Sequence, residues 1–323
     1  MNDSEFLGGG PQSEANRDRL PLWVIFAAIG CCAIWGGNAV AIKRSVPALP
    51  AFGCAGLRFL ISLPILYAIC RVLKQPAWVP SRRLGLLMIH VLFTVVQIGS
   101  FNVGTSLGQA GRSSIFINIH PLIVAPLSWL FLGERLGFRA WLGLFSASCG
   151  VGVLIVSKSS NGGPLFGDAI VIFSGIVFGI QTVAQKKSFP WIPPATLLFT
   201  QTLVSAPIFL VWSVLFEGGP SRFQFTTSST AGVFYQGVIV SGVCFSAWML
   251  LLRRFPAGKL AALAFVTPLF GVAFGILIEH ERLTLPLVFG GLLVGLGIRL
   301  VSIDRPLDRL DVNSLALPGE DAP

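Results

Sequence analysis

The chain has 323 residues, of which 54% are hydrophobic and only 11% charged, and its mean hydropathy is +0.78. Soluble globular domains carry about 25% charged residues, so this composition excludes that class. The formal net charge of +9 is spread over short connections and tails rather than gathered in one patch, which argues against nucleic acid as a partner. The composition indicates an integral membrane protein that is surrounded by the lipid bilayer.

Ten apolar stretches follow one another along the chain, each close to the roughly 20 residues that cross a bilayer as a helix. They lie at 21–42, 48–70, 84–106, 113–133, 138–157, 168–185, 195–216, 230–252, 259–279 and 285–303. The first stretch is too long for the apolar part of a signal peptide, so it is expected to stay in place as an uncleaved anchor. The sequence predicts an all-α polytopic membrane protein with ten transmembrane helices.

The distribution of Lys and Arg predicts the orientation of these helices. With the N-terminus in the cytoplasm, 16 of the 23 basic residues fall in inside segments and six in outside segments, while Arg58 lies within a span. Basic residues favour the cytoplasmic side of a membrane. Both termini are therefore expected inside, and the expected location is the inner (plasma) membrane of the cell.

The second half of the chain repeats the first. Trp35–Pro47 aligns with Phe178–Pro190 at an offset of 143 residues. At an offset of 147 residues, further positions coincide: Ala110–Arg112 with Ala257–Lys259, Pro121 with Pro268, Glu134 with Glu281, Gly143 with Gly290, and Gly150 with Gly297. The sequence thus predicts two five-helix repeats, over 20–158 and 163–303, between cytoplasmic tails over 1–19 and 304–323.

An odd number of helices in each repeat fixes how the two copies enter the membrane. Because each copy has five spans, the second copy must begin on the opposite side, which gives an inverted-topology repeat. Alternating-access transporters use this architecture, with two similar bundles around a site near the bilayer midplane. Duplication also builds channels and scaffolds, so the repeat favours transport without excluding those classes.

The repeated residues resemble the EamA domain of the drug/metabolite transporter superfamily, and the resemblance covers about residues 20–303. The motifs that carry it are the WG-x-N-x-x-x-IK element at Trp35–Lys43, Arg58-Phe59, Pro121 with the later Leu132–Leu136, and the echo from Pro268 to Glu281. The resemblance implies a ten-helix carrier that exports amino acids, metabolites or toxic compounds. The second copy departs from the pattern, since Gln201 stands in place of the second-span Arg.

Arg58 lies about ten residues into the second span, too deep for its side chain to reach the membrane surface easily. A charge near the midplane costs at least about 2.5–3.5 kcal/mol, so it needs a partner or a hydrated cavity. One interpretation is that Arg58 binds a substrate carboxylate or another anion through its two terminal nitrogens. The other is that backbone carbonyls at a broken helix satisfy it.

Two prolines mark possible breaks in the fourth and ninth spans. Pro121 and Pro268 each remove a backbone hydrogen bond and are expected to free a carbonyl, which is tolerated in a membrane when it faces a cavity or is bonded again. Asn118 and His120 flank the first break. The imidazole of His120 titrates near neutral pH and is a candidate for proton coupling, although a histidine bonded across helices is the commoner case.

Amide and aromatic side chains within the spans are further candidates for the substrate pathway. The repeat pairs Trp35 with Phe178 and Asn38 with Gln181. Uncharged amides and aromatic rings orient small polar ligands in pockets, but amides also hold membrane helices together. The candidate pathway residues are Trp35, Asn38, Arg58, Gln97, Asn118, His120, Gln181, Gln201 and Trp248.

Charged residues at the helix ends are expected to be structural. Glu134 and Glu281 close the fourth and ninth spans, where an ion pair that anchors the two bundles is favoured over a proton relay. Lys43 and Lys186 are expected to extend toward the membrane surface. Small residues in the fifth and tenth spans predict close packing of these spans on each other or at a homodimer face.

The inventory of chemical groups excludes enzymes. The sequence has no Ser/His/Asp set, no H-E-x-x-H, no P-loop and no pair of carboxylates within the spans. Its six cysteines show no metal-ligand spacing, so neither a metal nor a cofactor is expected. The predicted function is a secondary transporter that exports amino acids or related small metabolites by alternating access. The alternatives are a passive channel-like facilitator and an uptake carrier.

Overall fold

The computed structural model describes residues 20–108, 110–134, 136–159, 165–279 and 285–303, and within these ranges the fold is entirely helical. The α-helices of the described ranges are α1 (Leu22–Ser45), α2 (Ala51–Val72), α3 (Leu84–Leu107), α4 (Ala110–Phe116), α5 (His120–Leu132), α6 (Phe138–Ser159), α7 (Leu165–Ser188), α8 (Pro194–Glu217), α9 (Thr227–Phe234), α10 (Phe245–Arg254), α11 (Ala257–Leu263), α12 (Thr267–Glu279) and α13 (Leu285–Ile303). Tighter turns or a π-helical segment join some of them.

Seven helical segments in the described part of the chain are long and apolar enough to cross a membrane. They are Leu22–Ser45, Ala51–Val72, Ser81–Leu107, Arg112–Leu132, Phe166–Ser188, Pro194–Glu217 and Thr227–Arg254. Large apolar side chains are exposed on their outer faces, as at Phe26 (71%) and Phe216 (72%), where lipid rather than water is the suitable surrounding. The expected all-helical membrane protein is confirmed.

The fourth and ninth predicted spans are broken in the same way. In each, a seven-residue helix leads through a three-residue 3₁₀ turn into a 13-residue helix: α4 and α5 flank Ile117–Ile119, and α11 and α12 flank Ala264–Val266. Pro121 and Pro268 are the second residues of α5 and α12, where a missing N–H is tolerated.

The carbonyls that the prolines were expected to free are bonded again. The N–H of His120 donates to the carbonyl of Ile117, and the N–H of Thr267 donates to the carbonyl of Ala264. These bonds span three residues instead of four, because a 3₁₀ turn is wound more tightly than an α-helix. At each break, a short 3₁₀ turn therefore replaces the α-helix, and backbone hydrogen bonding continues through it.

Equivalent helices of the two repeats pack against each other in opposite directions. The beginning of α2 meets the end of α8, because Glu217 accepts hydrogen bonds from the backbone N–H groups of Phe52 and Gly53 at 2.9–3.1 Å. At the other end of α2, the ring of Tyr67 lies 5.8 Å from that of Phe199. Helices α2 and α8 are therefore antiparallel.

Helices α6 and α13 form a second antiparallel pair. The hydroxyl of Ser146 donates to the carbonyl of Leu293 at 3.0 Å, and Gly297 lies directly against Gly143 and Ala147. Of the two expectations for the small residues in these helices, packing on each other is the one observed. The contact is made within one chain and therefore gives no support to a homodimer.

The first helix of each repeat packs along the broken helix of the other repeat. A Cβ atom at Gly36 of α1 would lie 2.7 Å from the Cβ of Phe270, and one at Gly179 of α7 would lie 2.6 Å from the Cβ of Ile123. The two contacts are equivalent in the repeat. We call the segments Ile117–Pro121 and Ala264–Pro268, where these two helices are interrupted, the broken turns. The packing of each first helix on the other repeat places α1, α7 and both broken turns around one central space.

Candidate functional site

Two adjoining cavities lie where the helices of the two repeats meet. The first has an empty volume of about 490 Å³, which includes the space at its mouth, and the second about 460 Å³. The first is lined by Trp35, Asn38, Arg58, Gln97, Ile98, Phe101, Ile117, Asn118, His120, Phe178, Phe245 and Thr267. The second is lined by Phe59, Thr94, Gln97, Ile98, Phe178, Gln181, Gln185, Leu198, Gln201, Thr202, Phe245, Trp248 and Met249.

All nine candidate pathway residues from the sequence line one or both cavities. Six of them surround the first cavity: Trp35, Asn38, Arg58, Gln97, Asn118 and His120. Gln97 also belongs to the second, together with Gln181, Gln201 and Trp248. The structure therefore gathers these side chains in one region, although their contact with a substrate stays a prediction.

Arg58 is the charged residue of the first cavity, and its side chain is fully buried. Its Nε donates to the hydroxyl of Ser241 at 2.8 Å, while Nη1 and Nη2 have no hydrogen-bond partner. The guanidinium carbon lies 5.7 Å from the ring centre of Phe59 and 5.9 Å from that of Phe245. Among the described residues, neither a carboxylate nor a backbone carbonyl pairs with the guanidinium. The structure therefore does not show the contacts with backbone carbonyls that the second interpretation requires.

The partner of Arg58 comes from an unusual segment of helix. Between α9 and α10, residues Tyr235–Cys244 form a π-helical segment of ten residues, and this segment carries Ser241. It is widened relative to an α-helix, a feature frequently found at functional sites. This segment could not be predicted from sequence, because its ten mostly small and apolar residues are too few to show a period that differs from that of an α-helix.

The first broken turn presents hydrogen-bond acceptors to the first cavity. Nδ2 of Asn118 donates to the carbonyl of Ser114 at 2.6 Å, and its Oδ1 has no partner. Nδ1 of His120 is 3.2 Å from the carbonyl of Ile117, and its Nε2 has no partner. His120 thus bonds within its own turn rather than across helices, and its role in proton coupling stays a prediction.

The second cavity is lined by amides and hydroxyls together with apolar and aromatic side chains. Nε2 of Gln181 donates to the hydroxyl of Thr94 at 2.9 Å, and Nε2 of Gln185 lies 3.4 Å from Oε1 of Gln201. These bonds join α7 to α3 and α8. The amides therefore line a cavity and link helices at the same time, so the two roles that the sequence left open do not exclude each other.

Aromatic rings lie at the boundary of the two cavities. The ring centre of Trp35 lies 4.8 Å from that of Trp248, 5.7 Å from that of Phe245 and 6.1 Å from that of Phe178. Phe178 and Phe245 line both cavities. Trp35 lines only the first cavity and Trp248 only the second, which places this aromatic cluster at the boundary.

Glu134 takes part in a contact between the repeats. Its Oε1 lies 2.6 Å from Nζ of Lys186, and its Oε2 accepts from the N–H of Gly258 at 3.2 Å. Lys186 also donates to the carbonyl of Phe255. Glu281, the equivalent of Glu134, lies outside the described residues.

Lys43 and Lys186, which were expected to extend toward the membrane surface, bind protein groups instead. Lys186 forms the ion pair with Glu134, and Lys43 donates to the carbonyls of Ser106 and Gly108 at 3.0 and 2.6 Å. The backbone carbonyls and the carboxylate that bind them come from distant parts of the sequence. A local pattern therefore could not identify them.

A buried ion pair between Arg112 and Asp168 was missed by sequence reasoning. The two side chains are each only 6% exposed. In the sequence, Arg112 lies just before the fourth apolar stretch and Asp168 lies at the start of the sixth. Because the residues are 56 positions apart, no helical spacing could have indicated their contact.

The described part of the chain shows no group of three His, Cys, Asp or Glu side chains that could hold a metal ion. The chemical features of the central site are instead one buried cation, several neutral hydrogen-bonding groups and aromatic rings. Such a site can bind and orient a small organic molecule.

Comparison with known proteins places the chain in a family. The model of the EamA-like transporter family matches residues 22–156 and 165–303. "Uncharacterized transporter YoaV" of Bacillus subtilis (strain 168) is 24% identical over 278 residues, which cover 85% of this chain and 95% of that protein. "Probable amino-acid metabolite efflux pump" of Escherichia coli (strain K12) is 25% identical over 82% of this chain and 90% of that protein. A solved crystal structure shares the fold with a TM-score of 0.73 at 17% identity, covering 87% of this chain and 98% of the other.

Proposed function

The chain belongs to the EamA-like transporter family, and we propose that it is a secondary transporter that exports amino acids or related small metabolites by alternating access. The family is one of transporters rather than enzymes, so a small-molecule substrate and a membrane are its partners. A relative from Escherichia coli that is 25% identical bears the name "Probable amino-acid metabolite efflux pump", which supports the proposed substrate class.

The observation that carries the proposal is the unpaired guanidinium of Arg58. Its two terminal nitrogens are buried beside a cavity and have no partner among the described residues. A buried cation without a counter-charge is costly, and a carboxylate that accepts two parallel hydrogen bonds is its best-matched ligand. An amino acid carries such a carboxylate.

The proposed architecture has ten transmembrane helices in two inverted five-helix repeats, over 20–158 and 163–303, with both termini and the tails over 1–19 and 304–323 in the cytoplasm. The antiparallel packing of α2 with α8 and of α6 with α13 supports the inversion, because these helices are equivalent in the repeat. The excess of Lys and Arg in the inside segments supports the orientation. The proposed location is the inner (plasma) membrane.

Alternating access is supported by the way in which the repeats interlock. Helix α1 packs along the broken helix of the second repeat, and α7 packs along that of the first. A tilt of these pairs about the central cavities opens one side as it closes the other, which is how inverted repeats work. The broken turns at Pro121 and Pro268 lie at the centre of this motion and are the proposed gating elements.

Counterflow in proteoliposomes tests the proposal. Vesicles that contain the purified protein are loaded with unlabelled L-amino acids and exposed to the same labelled amino acid. A carrier shows uptake that is stimulated by the internal substrate, whereas a passive facilitator does not. Absence of counterflow with all amino acids would contradict the proposed substrate class.

Arg58→Gln tests the role of the cation within this assay. Gln stands at the equivalent position 201 of the second repeat, so the chain already accommodates that side chain in a similar place. A hydrogen bond to a charged group contributes about 1.5–3 kcal/mol, so counterflow should fall by about tenfold or more. Arg71→Gln, at the exposed end of the same helix, is the matched control and should retain parental rates. Equal kinetics in both variants would reject the anion site.

A further inference from the structure

The first cavity also offers a second kind of binding group. On the broken helices, Oδ1 of Asn118, Nε2 of His120 and Oγ1 of Thr267 are buried and have no hydrogen-bond partner. All three residues line the first cavity. Buried polar atoms are normally satisfied, so unsatisfied atoms that line one cavity are candidates for contact with a polar ligand.

The free atoms of Asn118 and His120 are acceptors, because each side chain uses its donor on its own helix. A carbonyl only accepts, so the atom of Asn118 that bonds the Ser114 carbonyl is the amide nitrogen, and the oxygen is left free. In the same way, Nδ1 of His120 carries the hydrogen that the Ile117 carbonyl accepts. In the neutral imidazole, Nε2 is then an acceptor.

The opposite requirement applies to Arg58. Its Nη1 and Nη2 are donors without a partner, and Nε1 of Trp35 is another donor without a partner in the same cavity. The cavity thus carries unsatisfied donors on α1 and α2, while unsatisfied groups that can accept lie on the two broken turns and at Oδ1 of Asn38 on α1. A ligand that satisfies both sets must have an anionic group and a donor-rich group.

We propose that Asn118, His120 and Thr267 bind the ammonium group of an α-amino acid whose carboxylate is bound by Arg58. This inference rests on the proposed function and specifies what the site recognises. An ammonium group has three donors, which matches the three acceptors on the turns. A deaminated acid leaves these acceptors unsatisfied, and a decarboxylated amine leaves Arg58 unpaired.

The second cavity receives the side chain of the amino acid and restricts its charge. Its lining consists of amides, hydroxyls and apolar or aromatic groups such as Leu198, Trp248 and Met249, and it includes no charged side chain. A charged substrate side chain would be buried there without a counter-charge, which is unfavourable. The substrates are therefore amino acids with uncharged side chains.

Matched sets of competitors test the inference. Counterflow is measured with labelled L-phenylalanine in competition with unlabelled L-phenylalanine, 3-phenylpropanoate or 2-phenylethylamine, and with the corresponding set for L-leucine. The amino acid should inhibit at concentrations at least about tenfold lower than either of its analogues, because each analogue leaves one set of buried groups unsatisfied.

Asn118→Leu and Thr267→Val locate the effect at the broken turns. Each substitution removes an acceptor at similar side-chain volume. Each should therefore raise the inhibition constant of the amino acid several-fold, while that of the deaminated acid stays unchanged. Thr105→Val is the matched control, because Thr105 also has a buried hydroxyl without a partner but lines neither cavity. It should leave all three inhibition constants at parental values.

The possible outcomes separate this inference from the proposed function. If amino acids are transported but the deaminated acid competes as well as the amino acid, the ammonium site is overturned and the carrier stands. The same holds if Asn118→Leu raises the inhibition constants of the deaminated acid and of the amino acid equally. If no amino acid gives counterflow or competes, the proposed function is overturned and this inference with it.

Discussion

Glu134 of the first repeat and Lys186 of the second form an ion pair with 2.6 Å between Oε1 and Nζ. Glu134 also accepts from the N–H of Gly258, and Lys186 donates to the carbonyl of Phe255. The pair therefore joins the ends of α5 and α7 to the start of α11. At the other end of α7, Asp168 pairs with Arg112 of α4. Helix α7 is thus tied at both ends to the broken helix of the first repeat, and the two run parallel.

Loss of the ion pair at the end of α7 should open that side of the transporter. In Lys186→Met, the contact with Glu134 is lost while the apolar part of the side chain is kept. A partly exposed ion pair contributes about 1 kcal/mol, which corresponds to about a fivefold shift between two conformations. A cysteine at position 185, which lines the second cavity, should then react about fivefold faster with a membrane-impermeant maleimide in inside-out vesicles.

Lys187→Met is the control for this measurement, because Lys187 contacts the ring of Phe131 at 5.3 Å rather than a carboxylate. Its reaction rate should match that of the parent. The charge exchange Glu134→Lys with Lys186→Glu should restore slow labelling. Equal rates in Lys186→Met and Lys187→Met would show that the ion pair does not hold this side closed.

Removal of the acidic partner at the start of α7 should destabilise the fold. In Asp168→Asn, the guanidinium of Arg112 stays buried without a counter-charge, which costs about 3–5 kcal/mol. The midpoint of thermal unfolding in detergent should fall by several degrees. The double variant Arg112→Met with Asp168→Leu should recover most of this loss, because it removes both charges. Arg222→Met, at an exposed position, is the control and should unfold at the same temperature as the parent. An Asp168→Asn variant as stable as the parent would contradict the buried ion pair.

The close contacts between the repeats should not tolerate a methyl group. In Gly179→Ala, the new Cβ would lie 2.6 Å from the Cβ of Ile123, so α7 must move away from the first broken turn. Overpacking of this kind costs about 1–3 kcal/mol, and it displaces His120. We expect a lower unfolding temperature and slower counterflow. Gly30→Ala is the control, because no atom lies within 4 Å of its new Cβ. If both variants have the unfolding temperature and the counterflow rate of the parent, the tight contact at Gly179 is contradicted.

Labelling of the two equivalent connections tests the inverted topology. Ser81 follows α2 and Ser221 follows α8, and both are exposed. Because α2 and α8 are equivalent in the repeat, cysteines at these positions should react from opposite sides of the membrane. Cys149 is exposed in the native chain, so the measurement uses a Cys149→Ser background. Reaction of both cysteines from the same side would exclude the inversion.

Much of the candidate site could be predicted from sequence alone. A polar or charged side chain within an apolar span is conspicuous, because burial in a membrane is costly unless the group is used or satisfied. That reasoning selected Arg58, Asn118 and Gln201, and the structure brings them to the walls of adjoining cavities. It did not select Thr267 as a pathway residue, although its equivalence to His120 in the repeat was a usable signal.

The partners of these residues could not be predicted in the same way. Ser241 was not recognised as the partner of Arg58, and Lys186 was not paired with Glu134. A partner depends on which helices become neighbours and on their rotation. Hydropathy reports neither of these, because it averages over a whole helix.

The sequence by itself determined that this is a helical membrane protein built from two copies of one unit, since span length, apolar content and repeat offsets are properties of the linear chain. Only the tertiary structure decided that α1 and α7 are exchanged between the repeats, that a π-helical segment meets Arg58, and that the free acceptors of two broken turns face the same cavity. The physical reason is that these features depend on contacts between residues more than 50 positions apart, whose geometry is fixed when the helices pack.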